Sequence, residues 1–320
     1  MISVFVNRNG ATRVVDDVDP QWLAPNSGAT MWVDLAAITP DEGRVLTDVF
    51  HFHPLAVEDA LSAIQYPKIE AYDGYLYVVL HGIDFRTAEH QLATHDIDFF
   101  LGPNYLVTVH DGHSRSIATL REMCDRHSHI LDEGPVALMH RIIDTMVDNY
   151  QPQMEKLEER ISDMEEQAYE GRNTIVRQLL SVKRDLASMR RIMIPQRDAV
   201  GRLARREFNA ISNEMAYRFR DVYDHVVRLS DETIMFQDRV TGILEVNLSA
   251  VSNRLNQIMK VLTVASTIFL PMTVLTGMWG MNVPIPHLPG GENAQFWWVG
   301  GMMAVISGVM LAIFRFLDWI

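Results

Sequence analysis

Charge all but disappears from the C-terminal end of this sequence. After Lys260 the 320-residue chain has only Glu292, Arg315 and Asp318 as charged side chains. Setting those three aside from totals of 28 basic and 41 acidic residues leaves 27 and 39, a net of −12 over residues 1–260. A body with that excess of acid lacks the basic stripe a nucleic-acid partner requires. Cysteine is scarce as well. Cys124 is the only one, which excludes an intramolecular disulfide framework and fits a reducing compartment. No Walker loop, dinucleotide fingerprint or nucleophile elbow is present, so we read the chain as something other than an enzyme. Nor is a signal peptide read at Met1, which opens into Ile-Ser-Val-Phe-Val without a basic leader.

The uncharged end holds two apolar runs, Val261–Met281 and Phe296–Phe314. A helix of roughly 20 mostly apolar residues spans a bilayer core, so each run is a transmembrane candidate. The link between them, residues 282–295, contains no Lys or Arg, whereas Arg254, Lys260 and Arg315 flank the outer ends of the pair. Positive-inside bias then places the body and both termini in the cytoplasm of a cell whose inner or plasma membrane the hairpin crosses.

Upstream, residues 1–135 alternate β-rich and helical segments. Ser3–Val6, Met31–Leu35, Tyr75–Phe85, Asp96–Leu101 and Tyr105–His110 read as strands, being apolar and bounded by Gly, Asn or Pro. Pro40–Phe50 and Pro54–Ile64 read as helices opened by proline. These suggest an α/β domain on a mixed sheet. Residues 136–201 are helical: one helix from Val136 to about Ala168, a turn at Gly171 and Asn173, and a second helix from Thr174 that stops before Pro195. The stretch Gln151–Ile194 forms an acidic helical hairpin. From Arg202 to Leu270 there is no proline and a single glycine, Gly242. Leu244, Leu248, Val251, Leu255, Ile258 and Leu262 recur at steps of three and four, a coiled-coil-like seam. The expectation is a stalk helix over 202–260 that continues into a first span over 261–281. A short external loop over 282–295 and a second span over 296–314 follow. The fold class is thus an α+β membrane protein: an N-terminal α/β cytoplasmic domain, a helical hairpin, a long stalk helix and two C-terminal transmembrane helices.

Two spans per chain cannot enclose an ion path, so a conducting protein of this design needs several copies in a ring. Asn256, Met259, Thr263, Ser266, Leu270, Thr273 and Gly277 share one helical face that mixes small hydroxyls with apolar residues. Hydroxyls of that kind also bond back to their own helix, so the stripe alone leaves pore and anchor equally open. Pro271 lies inside the span, and Gly277 and Gly280 loosen its outer end. The segment ends in Gly280-Met281-Asn282. Mg²⁺ gives up its water reluctantly, and a ring of amide and backbone carbonyls can accept hydrogen bonds from that retained shell.

These residues carry a resemblance. The runs Met259-Lys260-Val261-Leu262-Thr263 and Thr267-Ile268-Phe269, with Pro271, Thr273 and Gly280-Met281-Asn282, resemble the CorA family of divalent-cation channels. Phe219 to His225, Ser249 to Asn253, His53-Pro54-Leu55, Glu58-Asp59 and Pro67-Lys68 extend the likeness over most of the chain. The resemblance implies a cyclic homopentamer that takes up Mg²⁺, Co²⁺ and Ni²⁺. In it Gly280, Met281 and Asn282 form an outer selectivity ring, and Asn256 an inner polar ring. Met259 and Leu262 form an apolar constriction, although the stripe itself puts Thr263 rather than Leu262 on that face. It further implies a regulatory Mg²⁺ held between Asp59 of one copy and Asp221 of the next, with Glu58 and Asp144 as additional ligands. Bound Mg²⁺ then favours the closed ring and its loss favours opening. The chain departs from the family at Trp279, where Tyr or Phe is usual, and in lacking a basic C-terminal cluster. It carries one acid, Glu292, in the outer link.

Two alternatives remain at this point. The 12 histidines include the pairs His51/His53, His110/His113 and His127/His129, and imidazole suits zinc, so a zinc transporter of the same fold is one. A membrane-anchored scaffold with a coiled stalk is the other.

Overall fold

The computed structural model describes residues 1–39, 41–62, 65–86, 91–126, 130–169, 175–281, 289 and 292–319. The chain divides into two compact units. The first comprises Met1–Glu165 and Thr174–Ile243, the second Glu166–Asn173 and Leu244–Ile320.

A seven-stranded sheet organises the first unit. Its strands are β1 (Ile2–Arg8), β2 (Ala11–Val15), β3 (Ala29–Ala36), β4 (Lys68–Tyr72), β5 (Tyr75–Arg86), β6 (Gln91–Leu101) and β7 (Tyr105–His110). Their order across the sheet is β2-β1-β3-β7-β6-β5-β4. Every neighbouring pair is antiparallel except β3 and β7, which run parallel with Met31 beside Tyr105 and Ala36 beside His110. The sheet is therefore mixed by virtue of one pair at its centre. Two strands escape the sequence reading, β2 and β4, and both are edges. Their residues are largely half-buried or exposed, so neither shows the apolar run that marks a strand buried on both faces.

One face of the sheet packs Val4, Met31, Val33, Leu35, Tyr77, Val79, Phe100 and Val107 against α1 (Arg44–Asp48) and α2 (Pro54–Leu61). Phe52, just ahead of α2, stacks on Phe100 with ring centroids 4.3 Å apart. Proline opens α2, and the His53 ring caps it by accepting the Leu55 N–H at 3.3 Å. The reading of a helix over 40–50 shrinks to the five residues of α1, with turns at 41–43; Pro40 lies outside the described residues. The α2 helix ends at Leu61, and Ile64, the expected end, is also outside them. The sheet's central strands carry α4 (Pro135–Asp148), which packs in turn against α3 (Arg115–Arg126).

Three helical expectations need correction. The expected single helix from Val136 to about Ala168 is two, α4 and α5 (Gln151–Tyr169). Pro152 sits in the first turn of α5, where its missing N–H costs nothing, and buried Tyr150 at the junction donates its hydroxyl to the His81 carbonyl at 2.7 Å. The stop before Pro195 does not occur, because α6 runs Ile175–Ala204 through it. Ile192, Met193, Gln196, Ala199 and Val200 are buried on either side, and their burial outweighs one lost backbone bond. Nor does the long helix begin near Arg202. A break over 205–212 has Arg206 in the left-handed region (φ 58°), with Glu207 paired to Arg202 and Arg205 at 2.9 and 3.0 Å. The α7 helix then spans Asn213–Trp279, 67 residues, and includes Pro271. Its early part joins the first unit tightly. A Cβ on Gly201 of α6 would stand 3.0 Å from the Tyr223 ring, so a side chain there would need that ring to shift by a few tenths of an ångström.

The second unit holds the rest of α7 and α8 (Glu292–Phe316). Both helices are long and apolar enough to cross a membrane.

Candidate functional site

The C-terminal part of α7 has two faces of different character. Val264, Ile268, Pro271, Leu275 and Trp279 are half-buried and step by four and three. On α8 a matching stripe, Val299, Met302, Met303, Ile306, Ser307, Met310 and Phe314, is half-buried or buried. Ser307 Oγ lies 4.0 Å from Met272 Sδ, and Lys260 Nζ stands over the Trp319 ring at 6.0 Å, so these stripes face each other. At about 100° per residue, the stripe Asn256, Met259, Thr263, Ser266, Leu270, Thr273 and Gly277 lies on the opposite side of α7. All seven are exposed in the single chain. Leu262 is exposed too, at 59 %, so both Leu262 and Thr263 border this open face.

Polar groups on the face are partly committed within the helix. Thr273 donates its hydroxyl to the Phe269 carbonyl at 2.9 Å, and Thr276 donates to Met272 at 3.0 Å. Each keeps its oxygen lone pairs as acceptors. The helix gives out at Gly280, whose N–H reaches the Thr276 carbonyl at 2.9 Å. A Cβ at Gly280 would sit 3.1 Å from that same backbone oxygen, whereas one at Gly277 would meet open space. Gly280 still takes part in the helix's own bonding, and Met281 follows it, exposed. Asn282 lies outside the described residues, as does most of the following link.

The carboxylates singled out for metal regulation belong to the first unit. Asp59, on α2, is 29 % exposed and accepts from Lys68 Nζ at 2.5 Å. Lys68 opens β4, bonds Glu70 at 3.0 Å as well, and lies 5.2 Å from the centre of the Tyr77 ring. Burial opposes the charge on Lys68, but its two carboxylate partners outweigh that and raise its pKa. Glu58 is exposed on the same helix. Asp144 is on α4 and Asp221 on α7, close enough to share a field. Burial raises the Asp144 pKa; Asp148 and Asp221 add to the rise, and His140 and His225 oppose it. The His140 ring also meets Phe219 edge-on at 5.2 Å, which joins α4 to α7. Among the described residues no hydrogen bond or ion pair ties Asp59 to Asp144 or Asp221. Nor do any three His, Cys, Asp or Glu side chains among those residues converge to hold a metal ion.

Most histidines of the noted pairs are spent locally. His51 Nδ1 is 3.0 Å from the Thr47 carbonyl, His53 caps α2, and buried His110 contacts Asp34 at 3.1 Å. His127 and His129 lie outside the described residues. Two groupings are absent from the sequence reading. His95 pairs with Asp111, which His113 approaches at 3.6 Å. Tyr77 donates its hydroxyl to Asp98 at 2.5 Å, deep under α2. Burial pushes the Asp98 carboxyl up to about 7, and the Tyr77 phenol up as well.

The chain matches the model of the CorA-like Mg²⁺ transporter protein family over residues 27–315. A Bacillus subtilis protein whose name proposes metal-ion transport is 34 % identical over 284 residues, 88 % of each chain. The cobalt/magnesium transport protein CorA of Thermotoga maritima is 30 % identical over 311 residues, 95 % of this chain and 87 % of that one. Among solved structures, the complete CorA magnesium transporter of Methanocaldococcus jannaschii superimposes with a TM-score of 0.84 at 22 % identity, over 100 % of this chain and 99 % of the other.

Proposed function

The chain belongs to the CorA family and is a divalent-cation transporter, and from that premise we propose that it works as a homopentameric channel for Mg²⁺ and Co²⁺ with Ni²⁺ as a further cargo. One observation carries this reading. The polar-dotted face of α7 points away from α8, stays uncovered in a single chain, and leads to Gly280 at the helix end, immediately before Met281 and Asn282. Five such faces turned inward make a path of hydroxyl and carbonyl acceptors with apolar narrowing at Met259 and Leu262. The cation travels hydrated. Hydroxyls at Ser266 and Thr273 accept hydrogen bonds from its water, and Gly280, Met281 and Asn282 form the outer ring that selects by size and acceptor field. Both termini lie in the cytoplasm in this arrangement, and the Asn282–Gln295 link lies outside.

Regulation rests on charge. Asp59 and Glu58 of one copy and Asp221 and Asp144 of the next crowd negative groups at each subunit boundary. A cytoplasmic Mg²⁺ between them stabilises the symmetric, closed ring; its departure leaves like charges to separate and the path to open. The field already felt at Asp144 supports the close approach of Asp144 and Asp221. Reconstituted liposomes test the proposal. Wild-type protein takes up Mg²⁺ and Co²⁺, and Asn282→Ala assembles but loses selective uptake. Unaltered flux and ion preference in that variant refutes the filter assignment.

A further inference from the structure

The Lys68 ammonium sits on Asp59 Oδ2, a carboxylate oxygen that a bound cation would use. We infer that Lys68 is a resident competitor for the divalent ion at Asp59, and that Glu70 is the mooring to which it retreats when the ion binds. The inference rests on the reading of Asp59 as a regulatory ligand, and it assigns the step that sets how much Mg²⁺ that ligand needs. Three observations carry it. Asp59 Oδ2 is engaged by Lys68 Nζ at 2.5 Å, so its charge is already partly offset within the chain. Lys68 simultaneously holds Glu70 Oε1 at 3.0 Å, so releasing Asp59 leaves the ammonium paired. Beneath it the Tyr77 ring lies 5.2 Å away and offers a π face that favours the cation in either position.

The geometry behind this is fixed by the sheet. Lys68 pairs with Val79 across β4 and β5, which puts its side chain on the same face as Tyr77, the face that α2 covers. Asp59 descends from α2 onto that face, and Glu70, two residues along β4, projects from the same side. Tyr72 holds the other Glu70 oxygen at 3.0 Å, which keeps the mooring in place. The Asp59 and Lys68 side chains are 29 % and 28 % exposed, so water screens the pair in part and the exchange is within reach of a hydrated ion. Mg²⁺ binds through one or two carboxylates and its own waters, and it needs Asp59 freed rather than a new cage. Lys68 thus raises the concentration at which the ion takes over, while Glu70 lowers it by accepting the displaced ammonium.

The two residues make opposite predictions, which is what the experiment reads. Full-length protein in lipid nanodiscs is digested with protease over a range of free Mg²⁺, and the midpoint of protection is measured. Lys68→Met moves the midpoint about three- to tenfold lower, the span expected of a partly screened ion pair facing a doubly charged ion. Glu70→Gln moves it higher by a similar factor, and Lys68→Arg, which keeps the charge, stays within about twofold. In the Lys68→Met background Glu70→Gln has little further effect, because Glu70 acts through Lys68. An unshifted or raised midpoint in Lys68→Met overturns the assignment; should that variant not fold, an unshifted or lowered midpoint in Glu70→Gln does so. Asp59→Asn separates this from the reading beneath it. If Asp59→Asn titrates as wild type, Asp59 is no ligand and both ideas fall. If Asp59→Asn loses the response while Lys68→Met titrates unchanged, the competitor alone is refuted.

Discussion

Replacing Asp98 by Asn removes an acid that the fold holds at a cost above neutral pH. The carboxyl is 3 % exposed, receives the Tyr77 hydroxyl at 2.5 Å, and is pushed by burial from an ordinary 3.8 up to about 7. The direction of the consequence follows from which state binds the proton more tightly. Because the folded state does, ionisation favours the unfolded chain. Below pH 3 both states are protonated and nothing is lost; the penalty grows between about pH 4 and about pH 7 and then levels off. A shift of about three units corresponds to about 4 kcal/mol above pH 8, of which about 2–3 kcal/mol develops between pH 5 and pH 8. An asparagine in its place would keep an acceptor for Tyr77 and carry no charge. Amide hydrogen exchange of β5 and β6 in the intact protein, corrected for intrinsic rates, reports the local opening free energy. Wild type should lose protection from pH 5 to pH 8 by about two orders of magnitude, and Asp98→Asn should hold it nearly level. Parallel pH profiles in the two proteins would show that Asp98 is ionised without penalty, and the burial argument would fail.

Other outcomes follow from the same geometry. Asp221→Lys, measured by protease protection against Mg²⁺, leaves the chain much less responsive to the ion; an unshifted titration counts against a regulatory role there. Phe52→Ala opens a hole beside Phe100 and Tyr75, 4.3 and 4.6 Å away, and costs about 3–5 kcal/mol. Because Tyr75 also accepts the His53 N–H at 2.9 Å, that loss loosens the start of α2 and displaces Asp59. Thermal melts check the first effect and the Mg²⁺ midpoint the second. The Asn282→Ala uptake measurement remains the direct test of ion selection.

Legibility in the sequence tracks how local each cause is. The two apolar helices are plain because a stretch of that length without charge suits little except a bilayer, and the open stripe of α7 follows from its period alone. Strands β3, β5 and β7 announce themselves through runs buried on both faces. Edge strands β2 and β4 do not, since most of their residues meet water. The passage of α6 through Pro195 and the break at Arg206 are decided by partners elsewhere: buried neighbours in the first case, and the Glu207 ion pairs and Phe208 under Arg202 in the second. At the carboxylates, Glu58, Asp59, Asp144 and Asp221 are recognisable only through family likeness. The pairing of Asp59 with Lys68 depends on α2 lying over β4, a relation no short window of sequence contains. The same holds for Asp98 beneath Tyr77.

The opposed faces of α7 divide mutations into two kinds. A lesion at Ile268 or Leu275 harms the hairpin of a lone chain and is visible to any measure of folding. In the proposed ring, a lesion at Ser266 or Thr273 would leave that chain sound and do its damage only in company, where one altered copy would line a conduit shared with intact ones. On that proposal, screens for stability would pass such alleles, and cells expressing both forms would suffer from the altered one.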